Sequence, residues 1–203
     1  IINSSPEIDN TDTIDVAKYS ENLNKAKQLI KQAKGVIFDL GDTLMTVYPS
    51  RGYIFAEYAY KYGYLLNPDA IERNWFKLYE EWEKERIISK IFYSCNEKEY
   101  ESLYSKLNAN ILHFSGIPKE KHKEAIDIGR SIFLEILQNP SRWKIIPYVK
   151  EILSKLKGEN KKIALLANWN SDLKTFIYGS ELSIYFDVIV SGTTNNLKKP
   201  GKE

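Results

Sequence analysis

Three short apolar runs, each closed by a polar residue or a glycine, limit most strongly how this chain folds. They are VIFD at 36–39, KKIALLAN at 161–168 and YFDVIVSG at 185–192. Brief apolar runs bounded by turn residues are what the buried strands of a parallel sheet require. Between the first and second runs the periodicity is helical and no strand signal occurs. Ile54, Phe55, Tyr58 and Tyr62 share one helix face, and Ile71, Trp75, Leu78, Tyr79 and Trp82 share a second. Tyr100, Leu103, Tyr104, Leu107 and Ile111 repeat the pattern. A fourth helix is expected from Pro118, favoured at a first helical position, to Gln138, where Asn139-Pro140-Ser141 stops it. Pro147 then opens a helix with Val149, Ile152, Leu153 and Leu156 inward and Gly158 at its end, and another begins at about Asp172.

Helix–strand alternation interrupted once by an all-helical insertion predicts an α/β fold. Its core is a Rossmann-like parallel sheet with right-handed crossovers, and the insertion forms a helical cap. The expected boundaries are 1–19 for a flexible N-terminal extension, 20–48 and 143–203 for the core, and 49–142 for the cap. A helix from about Ser20 to Ala33 leads into the first strand. Trp75, Trp82 and Tyr104 are read as interior packing of the helical block, and Arg51 as a surface residue.

Composition narrows the function classes. At 203 residues, with 43% hydrophobic and 28% charged residues and a net charge of +2, the chain buries an ordinary core and carries no basic stripe for nucleic acid. The single cysteine, Cys95, excludes an internal disulfide and suits a reducing compartment. His113 and His122 are the only histidines, too few with one cysteine for a zinc site, and neither is assigned a role. No apolar run has the length of a membrane span, and the polar N-terminus lacks the apolar centre of a signal peptide, so a cytoplasmic chain without membrane contact is expected. The first residue is not methionine, and the chain is not expected to be a complete gene product.

Ligands of open α/β sheets bind at the carboxyl ends of the strands. Asp39, Ala167-Asn168 and Ser191-Gly192 stand at three such ends, with Lys199-Pro200 following the third. A carboxylate nucleophile, surrounded by turn N–H groups and an ammonium, suits attack on an anionic group.

Together VIFDLGDTL, the LLAN strand end, YFDVIVSG and the lysine of KKP resemble the haloacid dehalogenase superfamily. The insertion after the first motif resembles its first-type cap, and RGYIFAEYAYKYGY resembles the start of the cap in the dehalogenase-like phosphatase branch. The resemblance implies a phosphatase-type hydrolase acting on a small phosphorylated metabolite through an aspartyl-phosphate. Asp39 matches the nucleophile, Thr43 the threonine that braces the loop, and Lys199 the lysine that offsets the charge of nucleophile and phosphate. Leu40, Gly41 and Asn168 fall where phosphate is held. A magnesium ion is implied on the Asp39 carboxylate and the main-chain carbonyl of Gly41.

Three departures set expectations of their own. Gly41 stands where phosphatase members carry the acid that protonates the leaving oxygen, and Asp42, one place on, is read as a turn-stabilising residue. Ala167 replaces the hydroxyl residue of the second motif. The acidic pair of the fourth motif would lie on a strand beyond Glu203, so the last part of the core is expected to be missing and magnesium binding to be weak. Val36 to Asp39 would then form an apolar edge that a further segment or a partner covers. Gly41 and Ala167 also fit a catalytically inactive descendant that keeps the fold for binding or assembly, and dehalogenation or phosphonate cleavage ranks behind both.

Overall fold

The computed structural model describes residues 16–85, 87, 97–169 and 173–191. Residues 1–15, Cys95, Gly192 and Lys199 lie outside the described residues.

The three apolar runs form one parallel sheet. Strands β1 (Gly35–Phe38), β4 (Lys162–Ala167) and β5 (Val188–Ser191) lie in the order β1-β4-β5. The register runs from Gly35↔Lys162 to Phe38↔Leu165 and from Ala164↔Val188 to Ala167↔Ser191, which brings all three carboxyl ends to one edge. β4 is central, with Ile163 and Leu165 completely buried. Helix α6 (Val149–Gly158) lays Val149, Leu153 and Leu156 into the core at i, i+4 and i+7. Ile152, expected inward, flanks that stripe and is 51% exposed. The helix begins at Val149 rather than Pro147, because Tyr148 takes the left-handed conformation at φ 67°.

β1 is the sheet edge among the described residues. Its Ile37 is 69% exposed, while Val36 and Phe38 pack against the core. A strand paired on one side only keeps one row of backbone groups open. Helix α1 (Val16–Gln32) precedes it, four residues earlier than the sequence pattern places its start. Its end is fixed by the buried Lys161, whose ammonium donates to the carbonyls of Lys31 and Ala33 at 3.3 and 2.9 Å, where the helix dipole favours a cation.

The sequence gives no sign of a second, antiparallel pair. β2 (Met45–Val47) pairs with β3 (Trp143–Ile145) in the register Met45↔Ile145, Thr46↔Lys144 and Val47↔Trp143. This ribbon is where the chain leaves the sheet for the helices and returns, and strands of three residues are too short to show a period of two.

Between β2 and β3 lie α2 (Arg51–Tyr60), α3 (Pro68–Lys84), α4 (Glu97–Phe114) and α5 (His122–Gln138), the last preceded by a 3-10 turn at Lys119–Lys121. Ser50 caps α2 by accepting from the Tyr53 N–H at 3.2 Å, and Asn67 caps α3 through the N–H groups of Asp69 and Ala70. Tyr62, expected on the inner face of α2, is 45% exposed, because the helix ends at Tyr60 and Gly63 turns the chain at φ 87°. Two glycines allow close helix contacts. A Cβ on Gly129 would stand 2.5 Å from the Ser105 carbonyl, and one on Gly52 would stand 2.1 Å from the Pro68 carbonyl. At the base of the block, Arg142 joins Glu135 at 2.7 Å and Glu57 at 2.8 Å, tying α2 and α5 to the returning strand. No helix among the described residues is long and apolar enough to cross a membrane.

Candidate active site

Asp39 is the first residue after β1, half-buried at the carboxyl edge of the sheet. The chain then winds a tight turn on one carbonyl: the Leu40 C=O accepts from the N–H groups of Leu44 and Met45 at 2.9 and 3.1 Å and from that of Thr43 at 3.3 Å. The Leu40 side chain is completely buried and anchors the turn. Gly41 bridges to Met45, and a Cβ placed on it would meet only the Trp143 ring, at 3.9 Å. Gly41 is not in the left-handed region, so its backbone does not demand glycine.

Asp42 does take the left-handed conformation, at φ 55°. Its carboxylate is occupied on both oxygens: Oδ1 accepts from the Thr46 hydroxyl at 2.9 Å and Oδ2 from the Arg51 guanidinium at 2.5 Å. Held in this way, Asp42 braces the turn and is not placed to replace the acid missing at position 41. The hydroxyl bracing this loop is that of Thr46. Thr43 is exposed, and its side chain makes no hydrogen bond among the described residues.

At the end of β4, Ala167 is buried and pairs with Ser191, whose hydroxyl donates to the Trp169 carbonyl at 2.6 Å and ties two strand ends together. Asn168 follows, half-buried. The structure thus gathers Asp39, Leu40, Gly41, Thr43 and Asn168 on one edge, with Lys199 outside the described residues.

Beside this edge the helical block lines an open cavity of about 240 Å³ that reaches Asp42, Asn168 and Trp169. Trp75, Tyr79, Tyr100, Tyr104 and Phe133 form its aromatic wall. Their rings are mutually arranged, with Trp75 and Tyr79 stacked at 4.9 Å and Tyr104 and Phe133 stacked at 5.4 Å. Trp75 and Tyr104 are therefore cavity residues as well as packing, whereas Trp82 is buried as expected. Arg51 is not a surface residue either: its side chain is 17% exposed and its guanidinium lies 4.6 Å over the Trp75 ring. Burial pushes the Tyr100 hydroxyl up to about 12 and raises those of Tyr104 and Tyr79. These phenols stay neutral, and none is tuned to serve as the missing acid.

The donor set for magnesium is thin. Among the described residues no three His, Cys, Asp or Glu side chains gather where an ion would sit. Asp39 with the Gly41 carbonyl fits a magnesium ion only in company with substrate phosphate oxygens, a common arrangement for this cation.

Residues 36–203 match the model of the haloacid dehalogenase-like hydrolase family, and the chain belongs to that family. Solved structures agree on the fold. A dehalogenase in an intermediate complex superposes at a TM-score of 0.52 with 18% identity, over 83% of this chain and 66% of that one. The L-2-haloacid dehalogenase of Xanthobacter autotrophicus gives 0.50 and 19%, over 83% and 60%. A hydrolase from Streptococcus pneumoniae TIGR4 gives 0.50 and 16%, over 84% and 72%. The chain therefore spans roughly two thirds of the length of these structures. No curated protein matches it in sequence.

Proposed function

We propose that the chain is the body of a phosphatase-type hydrolase in which Asp39 is the nucleophile toward a small phosphorylated metabolite. The observation carrying this reading is the position of Asp39. It is the carboxylate on the residue directly after β1, half-buried at the carboxyl edge of the sheet, the edge whose Asn168 lines the cavity. The Asp39 carboxylate oxygen would attack phosphorus, the bond from phosphorus to the leaving oxygen would break, and that oxygen would keep the electron pair. Water would then hydrolyse the aspartyl-phosphate, releasing phosphate and restoring the carboxylate. Asp39 and the Gly41 carbonyl would hold magnesium with the substrate, where the ion offsets charge on the phosphoryl oxygens. Lys199 is assigned the remaining positive charge.

With glycine at 41, no side chain at that position protonates the leaving oxygen. General acid catalysis contributes about 10²- to 10⁴-fold, so substrates that leave without a proton are favoured. The paired losses at Gly41 and Ala167 also support a second reading, an inactive family member that binds without turnover. Acetyl phosphate hydrolysis with magnesium separates the two: activity abolished by Asp39→Asn supports the enzyme. Equal rates from the two proteins, or no turnover by either, support the binder.

A further inference from the structure

We infer that the cavity under the helical block receives an aromatic ring, and that the preferred substrate class is an aryl phosphate ester with a phenolic leaving oxygen. The inference rests on the hydrolase reading for its chemistry, but the ring-binding cavity stands on its own geometry. Two independent observations meet here.

The first is the wall. Trp75 and Tyr79 on α3, Tyr104 on α4 and Phe133 on α5 line one cavity of about 240 Å³. At about 30 Å³ per water this is the room of about eight waters, enough for one substituted ring. Aromatic faces and edges reward a planar guest by stacking beyond simple burial. An aromatic box also suits a quaternary ammonium, but the Arg51 guanidinium, paired with Asp42, already lies over the Trp75 ring where such a cation would sit. A cationic guest is disfavoured and a neutral ring is not.

The second is the missing acid. Phenolic oxygens have a pKa of about 10, against about 16 for water and similar alcohols. A phenolate leaves phosphorus with its electron pair and takes a proton from water afterwards, which is the case Gly41 tolerates. The Trp143 ring, which also lines the cavity, stands 3.9 Å from where a side chain at position 41 would begin.

The test is calorimetric binding of phenylphosphonate and methylphosphonate to the chain with magnesium, alongside turnover of phenyl phosphate, acetyl phosphate and choline phosphate. Phenylphosphonate should bind about tenfold tighter than methylphosphonate. Tyr79→Leu, which keeps apolar bulk without the ring, should erase that preference while its melting temperature reports on folding. If the variant does not fold, the wild-type pair of affinities decides alone. Equal affinities for the two phosphonates, or preferential turnover of choline phosphate, overturn the inference. Acetyl phosphate hydrolysis without ring preference leaves the hydrolase reading standing and removes this one. Ring preference without turnover of any ester keeps the ring-binding cavity but removes the hydrolase reading and, with it, the aryl ester as substrate.

Discussion

A carboxylic acid at position 41 would set the reach of the chemistry, and the backbone there accepts one. The nearest atom to a new Cβ is Trp143 at 3.9 Å, an ordinary contact, and φ lies outside the left-handed region. Gly41→Asp is therefore expected to fold normally and to raise hydrolysis of an alkyl phosphate such as glycerol phosphate by about 10²-fold or more. Phenyl phosphate should gain much less, and steady-state kcat on the two esters measures the contrast. Gly129 is the opposite case. Alanine there would gain about 1 kcal/mol of helix propensity, but its Cβ would meet the Ser105 carbonyl at 2.5 Å, and backbone cannot swing aside. Overpacking of this kind costs about 1–3 kcal/mol, so Gly129→Ala should lower the urea midpoint rather than raise it.

The elements are held by buried stripes and by a few ion pairs that respond to acid. Asp187, just before β5, accepts from Lys157 on α6 and from the Ile163 N–H of β4, both at 2.8 Å, and from Lys162 at 3.2 Å. These hydrogen bonds, that of Lys157 first, hold its carboxyl well below the usual carboxylate range. Burial pushes Glu135 upward, yet hydrogen bonds from Arg142, Tyr58 and Asn139 outweigh it and leave its carboxyl lowered. A depressed folded value means stabilisation that is complete above the unfolded pKa of about 4 and lost as pH falls through the folded value. Thermal midpoints should fall on acidification below about pH 4. Asp187→Asn should be less stable than wild type at neutral pH, with the gap closing as the pH drops. Among elements, the sequence is informative wherever a period has length to show itself. The three sheet strands and the helices of the block follow from apolar runs and one-faced stripes. The β2–β3 ribbon is hidden by its brevity, and the exposure of Ile37 follows from β1 lying at an edge, which its own residues do not encode.

Across the whole molecule, the family and the sheet edge bearing Asp39 are readable from motif order, because those motifs sit on the strand ends themselves. The cavity is not. Its walls come from four helices, and a stripe of Trp75 and Tyr79 looks the same whether it faces packing or space. Arg51 escapes sequence reading for a related reason: its partners are Asp42 across a turn and Trp75 on another helix, and no local pattern joins them. The hydrolase chemistry requires that Asp39 become covalently phosphorylated at the carboxyl edge. Transfer of labelled phosphoryl from acetyl phosphate or phenyl phosphate to the chain with magnesium, quenched in acid and read by intact mass, tests this directly. One acid-stable, hydroxylamine-labile phosphoryl group is expected on wild type and none on Asp39→Asn; label on both proteins, or on neither, would contradict a nucleophilic Asp39.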